Sequence, residues 1–499
     1  MTTTPDPTPD PAEPGTTSTS VADRDHRFFG QPLVLANLFG VELWERFSFY
    51  GMQGILLIYL YFSVADGGLG IDRGVAAGIG GAYGGSVYLA TILGAWAADR
   101  LIGPERTLFY SAVTVMIGHL ALSLVPGLGG VGVGLVLIAL GSGGVKANAT
   151  SLVGSLYDER DSRRDAGFSL FYMGINIGAL VGPLLTGVLQ KDWGFHAGFG
   201  LAAIGMAVGL VQYAVGRRSL PASTQVVPDP LPSAQRWRWG LGGLVAVVVV
   251  ALLAVLGVIT AQNLDDIVIT VVGIAAVGYF VLILADRAIT RVERRRTWAL
   301  VPLLVSNAVF WALFQQQFTV VTIYSDLRLD RDLFGWTMPI SWVQSIEPFF
   351  VVVFAGAFAA LWTRLGDRQP STPVKFAAGT ALMGVAFLLF LLLPPGENTA
   401  PVLGLTGVLL VFCWAELLIS PVGLSMATKL AAAKYHTQTI ALYFLSIALG
   451  TALAGKLGSY YDPTDEGGYF LVLGLVAVVV GALVLAAYRP ILRLMEGVR

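Results

Sequence analysis

The chain has 499 residues, of which 55% are hydrophobic and 13% charged, about half the charged share of an average soluble domain. That is too little polar material to cover the two or three soluble domains such a length would make, so lipid must face much of the exterior. A net charge of −1 gives no reason to expect nucleic acid or any strongly charged partner. One cysteine, Cys413, excludes an intramolecular disulfide framework, and four scattered histidines (His26, His119, His196 and His436) lack metal-ligand spacing.

Residues 1–28 are rich in Pro, Thr and Asp and cannot bury enough surface to offset ordering entropy, which predicts a disordered cytoplasmic tail. The segment has neither the basic start nor the apolar stretch of a secretory signal. A helix needs roughly 20 apolar residues to cross a ~30 Å hydrocarbon core. On that measure, fourteen spans follow. Six lie at 32–62, 74–98, 106–125, 131–153, 166–190 and 197–216. Two more lie at 240–261 and 267–286, and a last six at 298–324, 336–363, 374–393, 401–428, 435–458 and 468–488.

Alternating these spans from an N-terminus inside places 22 Lys and Arg residues in inner loops and the C-terminal tail and five in outer ones: Arg73, Lys191, Arg328, Arg331 and Lys456. That asymmetry predicts both termini on the cytoplasmic side of the cell membrane. The Pro- and Ser-rich stretch 218–239 reads as a cytoplasmic linker. The expected fold is all-α and membrane-embedded: six-helix bundles at 29–217 and 291–492, an inserted two-helix hairpin at 240–290, and a cytoplasmic tail at 493–499. Two bundles with a solute path between them can expose a midplane site alternately to each side.

An ionisable residue at the centre of a span costs about 3 kcal/mol on insertion scales, so each needs a reason. In the first span Glu42, Glu45, Arg46, Tyr50 and Gln53 fall within an arc of about 140°. Two carboxylates beside a guanidinium can exchange a proton; the bland reading is an ion pair stapling two helices. Lys146, among small residues of the fourth span, requires a carboxylate partner or an anionic solute, unless it snorkels to the interface. Asn176 can bond a solute or only glue helices. In the second half, Trp311 and Gln315 share a face, Glu347 precedes Pro348, and Glu416 lies one turn before Ser420. The bland reading of Glu416 is a buried interhelical salt bridge. Cations in the first half facing lone acids in the second would suit a zwitterion. No nucleophile or metal constellation of an intramembrane enzyme is present in the sequence.

These residues also carry a resemblance. Glu42-Leu-Trp-Glu45-Arg46-Phe47 resembles the ExxERF signature of the proton-dependent oligopeptide transporters of the major facilitator superfamily. Similar segments follow in the family's order: Gly94 to Arg100, Gly144 to Asn148, Phe168 to Gly178, Phe310-Trp311-Ala, and Glu416 to Gly423. Bacterial members also have the extra hairpin.

The resemblance implies import of di- or tripeptides with inward proton flow, no cofactor beyond the coupling proton, and a monomer. By analogy, Glu42, Glu45 and Arg46 serve proton coupling and Lys146 holds the peptide carboxyl end. Glu416 holds the amine, and Asn176 contacts the peptide. Tyr50 and a second-span tyrosine, Tyr88 ahead of Tyr83, line the cleft.

Four positions depart from the family pattern. Gln53 stands where many members carry arginine, Gln315 where many carry an acid, Glu347 where asparagine is usual, and Tyr443 where tryptophan is common. Glu347 is therefore expected to take over the missing acid's work, facing Lys146, and a modified peptide becomes a candidate substrate. The alternatives are a major-facilitator transporter of another metabolite or drug, and a transport-inactive sensor.

Overall fold

The computed structural model describes residues 25–157, 161 and 163–498; most of the N-terminal tail, together with Arg160 and Arg499 of the inner basic set, lies outside the described residues. The first bundle comprises α1 (Leu33–Tyr61), α2 (Arg73–Ala97), α3 (Pro104–Leu124), α4 (Gly127–Gly154), α5 (Arg164–Trp193) and α6 (Phe195–Gly216). The hairpin is α7 (Ser233–Val255) and α8 (Leu264–Ala285). The second bundle begins with α9 (Arg291–Phe314) and its short continuation α10 (Val320–Leu327). It proceeds through α11 (Val343–Leu365), α12 (Thr372–Leu389), α13 (Val402–Leu430), α14 (His436–Gly458) and α15 (Glu466–Ala486), and ends in the short α16 (Tyr488–Leu494).

Thirteen helical segments among the described residues are long and apolar enough to cross a membrane. The fourteenth, α1, is as long but carries Glu42, Glu45 and Arg46. The fourteen-span fold follows from these two facts together. Its outward faces are lined with aliphatic side chains; α7 in particular has none of its residues buried.

Helix ends differ from the sequence expectation where chemistry, not hydropathy, sets them. α7 starts at Ser233, so Arg236 and Arg238 sit on a helix and not in a loop. α9 starts at Arg291 because Thr290 and Glu293 form a reciprocal capping box, and arginine propagates a helix well. The span expected from residue 336 starts instead near 340, because Phe334 (φ 57°) and Gly335 (φ 85°) turn a two-residue hairpin between Asp332–Leu333 and Trp336–Thr337. The span expected as continuous over 298–324 is broken by a 3-10 turn at Gln315–Phe318.

The two bundles meet at one end of the molecule, where α2 packs along α14 and α5 along α11. Gly81 and Gly455 allow the first contact: a Cβ added to Gly81 would lie 2.4 Å from the Gly455 Cα, so any side chain would force the helices apart. Ser341, Trp342 and Ser345 donate to the Pro183, Leu184 and Leu180 carbonyls of α5. Tyr61 donates to Asp326 at 2.8 Å, and the Lys191 ammonium to the Thr337 carbonyl. All five basic residues assigned to outer loops lie at this shut end, where Arg328 pairs with Glu466, Arg331 with Asp326 and Lys456 with Asp265 and Asp266.

At the opposite end, where α1 begins and α16 ends, no contact of comparable extent joins α4 or α5 to α13 or α14 among the described residues. Tyr172, Met173 and Leu424 are exposed there. The cleft between the bundles therefore opens toward the chain ends.

α8 packs against α2 and α14 at once, through Ala82, Val268, Val272, Leu445, Ala448 and Ala452. The hairpin thus lies across the seam between the bundles.

Candidate functional site: a polarised cleft between the bundles

The first-bundle wall is built on α1. Arg46 Nε lies 2.8 Å from Glu42 Oε1 and 3.2 Å from Glu45 Oε2, and all three side chains are at most 3% exposed. Ser142 of α4 donates to Glu45 Oε1 at 2.6 Å. Removing such a triad from water is costly, and the cost is offset only by close pairing and added hydrogen bonds. Gly178 of α5 lets the backbones approach: a Cβ there would lie 2.4 Å from the Leu43 carbonyl oxygen.

Lys146, one turn beyond Ser142 on α4, has no carboxylate within ion-pair distance among the described residues; its ammonium lies 4.0 Å from the centroid of the Tyr88 ring. Such a cation–π contact only partly replaces a counter-ion. Asn176 donates to the Tyr172 carbonyl of its own helix, which leaves its amide oxygen available.

The opposite wall comes from α11 and α13. Glu347 is 5% exposed, and its carboxyl group lies against that of Glu416. The expectation that Glu347 faces Lys146 is therefore corrected: its neighbour is the second acid, because α11 packs directly on α13 while Lys146 turns toward Tyr88. Ser420 donates to Glu416 Oε1 at 3.3 Å. Pro348 has no N–H to give to the helix turn before it, which leaves the Gln344 carbonyl free.

Between the walls stand aromatic rings. Tyr50 stacks on Phe318 at 5.9 Å and lies within electrostatic reach of both Arg46 and Glu416. Trp311 lies 6.3 Å from Tyr88, with its indole N–H buried and unpartnered. Tyr443 packs against Gly423 beside Glu416.

Gln53 and Gln315 line one small cavity with Tyr50, Tyr88, Lys146 and Phe318. Gln315 donates to Thr451 at 3.2 Å, and Gln53 Oε1 is buried without a partner. This cavity measures about 20 Å³, room for a water and not for a peptide; it is the closed top of the cleft. Tyr83 stacks on Phe49 behind it, so Tyr88, not Tyr83, faces Lys146.

Of the residues singled out in the sequence, Tyr50, Gln53, Tyr88, Lys146 and Gln315 line this one cavity, and Tyr50 lies within electrostatic reach of Glu45, Arg46, Glu347 and Glu416. The sequence reading missed Ser142, Phe318 and Thr451. Ser142 and Lys146 are four residues apart on one helix face, and Thr451 lies two turns beyond Tyr443, so their spacing could have found both. Phe318 is brought in by the 3-10 break, which the Gln315-Gln316-Gln317 run in an apolar span could have signalled.

Comparison with known proteins agrees with this geometry. The sequence pattern of the POT family matches residues 105–470. An uncharacterized transporter YclF of Bacillus subtilis is 40% identical over 94% of this chain and 96% of its own. A di-/tripeptide transporter of Lactococcus lactis subsp. cremoris is 39% identical over 95% and 98%. A crystal structure of a peptide transporter POT variant in complex with alafosfalin superposes with a TM-score of 0.89 at 41% identity, covering 94% of this chain and 97% of that one. The chain is a membrane transporter of the POT family.

Proposed function

We propose that this protein is a proton-coupled symporter that imports di- and tripeptides, or peptide-like solutes, by alternating access. The observation that carries this reading is the polarised cleft: a cation without a counter-ion, Lys146, on one wall, and two acids without a cation, Glu347 and Glu416, on the other. A zwitterionic peptide supplies the charge missing from each wall. The names of the relatives, a di-/tripeptide transporter and a POT protein bound to alafosfalin, support the same solute class.

In this reading Lys146 binds the peptide carboxylate and Glu416, held by Ser420, the amine. Tyr50, Gln53, Tyr88, Asn176, Trp311, Gln315 and Tyr443 shape the space between. Glu42, Glu45, Arg46 and Glu347 couple the cycle to protons. No cofactor other than the proton enters, and a monomer embedded in the cell membrane suffices.

With both termini cytoplasmic, the open end faces the cytosol and the shut end the outside. The working units are the bundles 29–217 and 291–492, with the linker 218–239, the hairpin 240–290 and short tails as connectors. Labelled dialanine should accumulate above equilibrium in proteoliposomes when an inward proton gradient is imposed. Equilibration without accumulation would refute coupling, and uptake only of unrelated solutes would refute the substrate.

A further inference from the structure

The carboxyl groups of Glu347 and Glu416 lie against each other inside the membrane span. Two carboxylates so close together, buried and with no cation beside them, repel each other, and one proton shared by the pair removes that repulsion. Among the described residues no cationic side chain lies beside the pair. Oε1 of Glu347 is buried and receives no N–H or hydroxyl donor among the described residues.

The titratable groups that face the two acids are Tyr50 from α1, Tyr88 from α2, Tyr172 from α5, Cys413 from α13 and Tyr443 from α14. All of these are uncharged groups near neutral pH. The lysines on the surrounding helices, Lys375 of α12 and Lys429 of α13, line a separate pocket at the open end. Thirteen residues of helix, about 20 Å, separate Lys429 from Glu416.

We propose that Glu347 and Glu416 act as one acid that carries a coupling proton. Fully ionised, the pair has two negative charges in a site with no cation. One proton and one substrate ammonium together cancel both, whereas either alone leaves a buried charge. Closing the cleft dry around the pair is therefore favourable only when both are aboard, and this requirement couples the two fluxes. On the open side the proton leaves to cleft water: one O–H bond breaks, the electron pair stays on the carboxylate, and the departing ammonium leaves the pair solvated.

The inference rests on the symport reading, and the test separates the two. Proteoliposomes carrying wild type, Glu347→Gln and Glu347→Asp are compared for gradient-driven dialanine accumulation. Wild type and the aspartate variant should accumulate; the glutamine variant should lose its dependence on the gradient. Unchanged gradient dependence in Glu347→Gln overturns the proposal but leaves symport standing, while failure of wild type to accumulate defeats symport itself.

Infrared difference spectra of the purified proteins give a readout independent of transport. A protonated-carboxyl C=O band that titrates in wild type should shift in Glu347→Asp and vanish in Glu347→Gln. The absence of any titrating carboxyl band in wild type would also overturn the proposal.

Discussion

The two walls of the cleft hold their charges in opposite ways. On α1 the acids are paired within one helix, with Arg46 bridging Glu42 and Glu45 and Ser142 donating to Glu45. On α11 and α13 two acids meet across a helix–helix contact with no cation between them. A closed triad resists change, because removing any member strands a buried charge. An acid pair invites change, because protons or ammonium groups can enter and leave it at small structural cost. The first bundle can thus exchange a proton only by opening its triad, whereas the second can exchange charge without rearrangement.

The strongest way to break this contrast is to open the triad. Arg46→Met should strand two buried carboxylates and destabilise the protein by roughly 3–5 kcal/mol, visible as a large fall in the melting temperature in detergent and loss of transport. An Arg46→Met protein as stable as wild type would show that the triad is not a closed unit.

A second, intermediate effect lies at the top of the cleft, where the uncharged Gln53 and Gln315 border one cavity with Lys146. Gln315→Glu alone buries an acid there and should cost about 1–3 kcal/mol. Adding Gln53→Arg should recover it, with a coupling energy of about 0.5–3 kcal/mol in a double-mutant cycle. Independent, additive effects would mean that the two side chains do not face each other.

The smallest effect belongs to the rim, where the Asp286 carboxylate is bonded by Lys434 and Tyr435. The Lys434 ammonium, the Ala288 N–H and the Tyr435 hydroxyl hold Asp286 below the usual carboxylate range. Its contribution is therefore fully present above the ordinary aspartate pKa and is lost only as pH falls through the lowered one. Asp286→Asn should lower the melting temperature slightly at neutral pH, and the difference from wild type should shrink only in strong acid. A difference already gone at mildly acidic pH would contradict the clamp.

The fold was legible because lipid imposes one simple rule, apolar length, and because the basic loop residues alternate with the spans. Helix ends were less legible: the starts at Ser233 and Arg291 and the hairpin at Phe334-Gly335 are set by caps and turns that hydropathy averages away. Within the site, the α1 triad could be read from spacing, since its members share one helix. The partner of Glu347 could not. Whether it met Lys146 or Glu416 depends on how α11 docks on α13, a tertiary contact with no trace in the periodicity of either helix.

The hairpin's placement has a consequence for the transport cycle. Since α8 rests on α2 and α14 together, opening the shut end must peel it from one of them. Its Asp265 and Asp266 are tethered to Lys456 on α14, whereas toward α2 the Asp265 carboxylate meets only the bare surface of Gly78. The weak side is therefore α2, and α8 should travel as a passenger of the second bundle, a hinged flap whose release from α2 adds to the barrier for opening the shut end.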